Sequence, residues 1–168
     1  MKTIYLIRHG KSSWKDTDLS DIDRSLKRKG VQDAYLVGEH LRKDKICPDL
    51  IISSIAVRAF HTAVIIARKL DYSLQHIALQ GDLYASSAQH YLEVIANQRN
   101  NASSLMIFGH DPALTNLFNM LLHNSVEKIP TCSVVALELE ADNWQEIGKA
   151  KSQLKLFVKP KELKYLLC

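Results

Sequence analysis

The chain has 168 residues, 46% of them hydrophobic, which is enough for a buried core and excludes disorder as the default state. Its formal charge of +4 suits an anionic ligand, but the basic residues scatter; small clusters at Arg24–Lys29 and Lys149–Lys164 read as solvated faces, so no nucleic-acid partner is expected. Cys47, Cys132 and Cys168 are odd in number and widely spaced, which indicates neither a disulfide framework nor a zinc knuckle. No apolar run is long enough to span a bilayer, and the N-terminus lacks the pattern of a signal peptide, so a reducing cytoplasm is the expected location.

The length fits one domain, 1–168, and no internal repeat is visible. Thr3–Ile7 is short and apolar at most positions, as a strand buried on both faces reads. Val31, Ala34, Tyr35 and Leu41 then form an apolar stripe of helical spacing. Leu50–Ser53 is a second buried strand, and Ala59, Ala63, Ile66 and Leu70 mark the helix after it. Ser86 and Gln89 form a capping-box pattern ahead of a helix carrying Ala88, Tyr91, Leu92, Ile95 and Ala96. Leu105–Phe108 is a third strand. Asp111-Pro112 follows as N-cap and first helical residue of a helix bearing Leu114, Leu117, Phe118, Leu121 and Leu122. Ser133–Glu140 begins apolar and then alternates, which places it nearer an edge, and Gln153–Val158 alternates as well. No helical pattern separates these last two, so they are expected to pair antiparallel at one side. The alternation elsewhere predicts a three-layer α/β/α fold with a mostly parallel central sheet.

Ligands of open α/β sheets sit outside the carboxyl ends of the strands. The first strand runs into Arg8-His9-Gly10, the second into Ser53-Ser54 with Arg58 soon after, and the third into Gly109-His110. Arg8, His9, Arg58 and His110 can therefore converge, although they are far apart in sequence. Helix starts nearby offer unpaired N–H groups to an anion, and guanidinium forks match phosphate oxygens. Gly10-Lys11-Ser12 also ends the nucleotide-binding P-loop, but Tyr5 stands where that motif needs its first glycine, so a Walker loop is excluded. His40, His61, His76, His90 and His123 read as ordinary surface or core residues. A metal site on His9, His61 and His110 has no support from a carboxylate cluster or from H-x-x-x-H spacing, so neither metal nor cofactor is expected.

With these residues placed, the sequence resembles the histidine phosphatase superfamily, whose fold is phosphoglycerate mutase-like, and within it the small phosphohistidine phosphatases of the SixA type. The matching segments are Leu6–Trp14, Asp23-Arg24-Ser25-Leu26 with Gly30, Ser53–Ala59 with Thr62-Ala63, Leu83-Tyr84, Gly109–Pro112, Pro130-Thr131 and Val158-Lys159-Pro160. The resemblance implies that Arg8, His9, Arg58 and His110 form a phosphate pocket, with His9 as nucleophile and the other three as phosphate ligands. Lys11, Ser12 and Trp14 would line it. Gly10 is expected to let the backbone turn close to the phosphate.

Two departures from the family pattern are visible. Ile55 stands where the family usually has a proline, read here as the first helical residue. The carboxylate that protonates the leaving group in larger members has no clear counterpart: Ala85 takes its position, with Asp82 close by. A missing acid favours a leaving group that departs readily, as imidazole does from a P–N bond. A phosphohistidine-bearing protein is therefore the expected partner. A small phosphorylated substrate, a mutase reaction, or a non-catalytic phosphate-binding module on the same fold are the alternatives.

Overall fold

The computed structural model describes residues 1–123 and 125–164; Cys168 lies outside the described residues. One six-stranded sheet runs β3-β2-β4-β1-β5-β6. Its strands are β1 Lys2–Arg8, β2 Leu50–Ser54, β3 Ala78–Gln80, β4 Ser104–Gly109, β5 Val134–Leu139 and β6 Ser152–Val158. The helices are α1 Arg28–Lys43, α2 Val57–Lys69, α3 Ala88–Ala96, α4 Ala113–Leu122 and α5 Pro160–Lys164. Pairings among β3, β2, β4 and β1 are parallel, whereas β1–β5 and β5–β6 are antiparallel.

The period of the strands makes the three layers. Ile4, Leu6, Leu105, Ile107, Val135 and Leu137 face α3 and α4 in one core. Their neighbours Tyr5, Ile7, Met106, Phe108, Val134 and Ala136 face α1 and α2 in the other. Both faces are covered, which is why these strands read as continuous apolar runs. The antiparallel β5–β6 end is as expected, with β6 at the edge and β5 one strand inside it. The short β3 has no apolar signal, because Ala78 and Leu79 are exposed on the opposite edge.

Several local readings are corrected. On α1 the buried stripe is Ala34, Val37, Gly38 and Leu41, while Tyr35 is exposed beside the Lys69 ammonium. The cap of α3 is Ser87, whose Oγ accepts from the His90 N–H; Ser86 instead meets the His90 ring and Gln89 bonds Glu93. At α4 the N-cap position is Pro112, and the Asp111 carboxylate serves other partners. Ile55 lies ahead of the N-cap Ala56, not at the first helical position.

Gly10 and Gly30 bring the loop after β1 against the start of α1. Neither has positive φ, so their role here is close approach rather than an unusual turn. A Cβ on Gly10 would lie 2.9 Å from the Gly30 carbonyl oxygen, and one on Gly30 would lie 2.3 Å from that of Lys11. Backbone cannot retreat as a side chain can. Gly30→Ala is therefore expected to cost about 1–3 kcal/mol in urea unfolding. Gly81→Ala, whose Cβ would meet nothing nearer than 4.0 Å, should stay within about 0.5 kcal/mol of the parent. Equal effects would show that the approach is not tight.

Candidate active site

The β1–β4 register pairs Arg8 with Gly109. The next residue on each strand, His9 and His110, therefore leaves the sheet beside the other. The His9 N–H still donates to the Gly109 carbonyl at 3.1 Å, and the two imidazole rings lie 5.1 Å apart between centroids. Next door, β2 ends at Ser54, whose Oγ is 2.8 Å from His110 Nε2. Arg58, on the first turn of α2, reaches back to His9: its Nε–H donates to His9 Nε2 at 3.4 Å. The four residues singled out in the sequence thus converge at the carboxyl ends of three parallel strands. His61 is exposed, and among the described residues no three His, Cys, Asp or Glu side chains gather as a metal would require.

The tautomer of His9 follows from its partners. Nδ1 faces the Gly10 carbonyl at 2.7 Å, an obligate acceptor, so Nδ1 carries the proton. Nε2 faces a guanidinium, an obligate donor, so it presents a lone pair. Burial lowers the pKa of His9 to about 4, opposed by the Gly10 bond and aided by Arg58, Arg8 and Arg24. Burial, with His9 and Arg58, lowers that of His110 to about 3. Both rings are neutral near pH 7.

Arg8 is held by the Ile129 carbonyl at 2.7 Å and by Asp111 at 3.2 Å. That pairing, with a bond from Thr115 Oγ1, occupies the Asp111 carboxylate. Tyr91 from α3 crosses beneath: its hydroxyl donates to the Leu83 carbonyl and accepts from the His110 N–H. Gly109 makes room for it, since a Cβ there would stand 2.1 Å from the Tyr91 oxygen. Arg8 Nε and His110 Nδ1 are buried without a partner in the protein. Unpaired buried polar atoms of this kind cost roughly 1–3 kcal/mol each.

Arg8, His9 and Arg58 open into a cavity of about 410 Å³, whereas His110 is buried and does not line it. Its cations are Arg8, Lys11, Arg24, Lys27 and Arg58; its one carboxylate among the described residues is Asp21, and Ser12, Trp14 and Thr131 complete the wall with His9. Arg24 is 6% exposed rather than on a solvated face. Its guanidinium stacks on Trp14 at 3.1 Å and bonds Ser12 Oγ and the Ser13 carbonyl.

Sequence reasoning missed Asp21. Its carboxylate accepts from Arg24 at 2.7 Å, Arg58 at 2.9 Å and the Tyr84 hydroxyl at 2.8 Å. Its backbone carbonyl takes the other Arg58 nitrogen. Desolvation works to raise the Asp21 pKa, but the bonds from Tyr84, Arg24 and Arg58 prevail and hold it at about 2. The only sequence signal was an aspartate three residues before Arg24, in the turn Asp21–Asp23. Asp82 is exposed and does not line the cavity.

A model of the histidine phosphatase superfamily, branch 1, matches residues 4–83, the stretch that holds Arg8, His9, Asp21 and Arg58. A chloroplastic protein of Arabidopsis thaliana is 28% identical over 153 residues, covering 86% of this chain and 70% of its own. Phosphoglycerate mutase 1 of Saccharomyces cerevisiae is 38% identical, but over 73 residues, 42% of this chain and 30% of the enzyme. The crystal structure of a candidate phosphohistidine phosphatase SixA from Agrobacterium tumefaciens superposes with a TM-score of 0.82 at 24% identity, over 95% of this chain and 98% of that one. The match of residues 4–83 to the histidine phosphatase superfamily, branch 1, and the fold shared with the SixA structure give one conclusion: over its first half this chain is similar to that superfamily, and its fold is phosphoglycerate mutase-like.

Proposed function

We propose that this protein is a phosphohistidine phosphatase acting on phosphorylated protein, with His9 as nucleophile and Arg8, Arg58 and His110 as phosphate ligands. The observation that carries the choice of substrate is Asp21. It is the only acid lining the cavity among the described residues, and three donors hold it ionised. A carboxylate of pKa about 2 cannot protonate a leaving group near pH 7. The Tyr84 hydroxyl is committed to Asp21, a bond that raises its own pKa. An alkoxide leaves poorly without a proton. An imidazole protonated on its far nitrogen leaves a P–N bond as a neutral ring.

The steps balance without an added acid. The lone pair of His9 Nε2 attacks phosphorus as the P–N bond of the substrate breaks, and its electron pair returns to the departing imidazole. The Nδ1–H bond to the Gly10 carbonyl supports the positive charge that grows on His9. Water then attacks the phosphoryl group and breaks the P–Nε2 bond, releasing inorganic phosphate. Arg8, Arg58 and the ring Nδ1–H of His110 carry the charge on the equatorial oxygens in both steps. The side chains supply the cationic charge that a metal would otherwise bring, so we include no metal or cofactor in this reading. The yeast mutase match favours phosphomonoesters as a second substrate class, but it leaves most of that enzyme unmatched.

Rates on a phosphohistidine peptide should exceed those on alkyl phosphomonoesters by at least about a hundredfold, the scale of general acid catalysis that esters would lack here. Faster turnover of alkyl esters would overturn the reading. Asp82→Asn should change neither rate. Asp21→Asn should slow both substrates alike, by about tenfold, because Arg58 loses its anchor; vanadate binding should not weaken, since a negative charge leaves the cavity. A selective loss on esters in either variant would identify an acid instead. The kcat/KM for phosphoramidate should stay level as pH falls from 7 to about 5, because His9 takes up its proton only near pH 4. An acid limb at the ordinary histidine value would contradict the neutral nucleophile.

A further inference from the structure

Beside the cavity at His9 lies a second hollow of about 130 Å³, and Lys11 and Thr131 line both. The charged groups of this hollow are Lys11, Lys29, Lys159 and Lys161, against Asp33 alone. Asp33 is already committed: Lys29 reaches both its oxygens, at 2.9 and 3.0 Å, and Lys164 approaches at 3.5 Å. Lys159 shares Glu162 at 3.1 Å. Lys11 and Lys161 are exposed and make no ion pair among the described residues. The acidic segment around Asp16, Asp18 and Asp23 lines neither space; only its Asp21 reaches the catalytic cavity. The approach to His9 is therefore basic on the α5 side.

We propose that this basic hollow, from Lys11 to Lys159 and Lys161, docks an acidic segment of the phosphohistidine-bearing protein beside its phosphorylated residue. The inference rests on the phosphohistidine reading and adds the charge of the partner. A free phosphorylated metabolite needs only the cavity at His9, whereas the hollow extends cationic charge beyond it toward α5. Its walls include Pro130 and Pro160. That mixture of apolar wall and lysine rim fits a polypeptide with Asp or Glu side chains better than a polyphosphate backbone. Exposed lysines act chiefly by steering and orienting, so the effect weakens with salt.

Two synthetic phosphohistidine peptides test this, one flanked by glutamates and one by lysines. The parent enzyme should prefer the glutamate-flanked peptide by about tenfold in kcat/KM at low ionic strength, as expected of two or three exposed ion pairs. The preference should shrink in high salt. The double variant Lys159→Glu, Lys161→Glu should abolish or reverse the preference while hydrolysing phosphoramidate at the parent rate. Equal use of both peptides by the parent overturns the docking proposal alone. A preference that survives in the variant does the same. An oligonucleotide that blocks the parent but not the variant, with no peptide preference, would assign the hollow to nucleic acid and overturn it too. Failure of the parent on either peptide, with turnover of phosphomonoesters, would instead remove the phosphohistidine reading on which the docking rests.

Discussion

The in-register ending of the parallel strands β1 and β4 is the constraint that organises the site. Pairing Arg8 with Gly109 leaves two histidines side by side at the first position where the chain is free of the sheet. A slip of one residue would send one imidazole to the opposite face. The register is secured from both layers, because alternate residues of each strand are buried in different cores. It is secured again at the site itself, where Tyr91 fills the space that Gly109 leaves and holds the His110 N–H. The Gly10–Gly30 contact then fixes the loop that follows His9 against α1. The chemistry is thus placed by main-chain geometry before any side chain is oriented.

Electrostatics gives that geometry a direction. Burial and the surrounding guanidinium groups keep both histidines neutral, which preserves a lone pair on His9 Nε2 while concentrating positive charge where phosphate oxygens would lie. Such a cluster of arginines repels itself. Asp21 relieves the repulsion, bonding Arg24 and Arg58 together and tying both to Tyr84. The same bonds that make Asp21 a good anchor make it a poor acid. One residue therefore helps to hold Arg24 and Arg58 in place and, in the proposed function, narrows the substrates that the site would serve.

Much of this was legible in the sequence, for identifiable reasons. The buried strands announced themselves as apolar runs because both faces of the sheet are covered. The quartet Arg8, His9, Arg58 and His110 was legible because each residue lies at or shortly after a strand end, and parallel sheets bring those ends together. Lys11, Ser12 and Trp14 do line the cavity. What escaped depended on contacts between distant side chains. Asp21 looked like one of several loop aspartates, and Arg24 like part of a charged surface run; only the folded chain turns them toward Arg58 and Trp14. Caps were misplaced by a residue because Ser86 and Ser87 are equally good cap candidates in sequence. Asp111 resembled a cap too, but the folded chain commits its carboxylate to Arg8 and Thr115. The edge strand β3 is too short and too exposed to leave a pattern.

A shared fold alone does not establish an activity, since the same frame can hold a nucleophile or merely bind phosphate. The covalent step is what separates these cases. The most direct test is to mix the protein with an isotopically labelled phosphohistidine peptide, quench in alkaline denaturant within milliseconds, and map the label by mass spectrometry. The account predicts a phosphoryl group on His9 that forms and decays within the turnover time and is absent from His9→Ala. Steady turnover with no label on His9, or label on another residue, would contradict it.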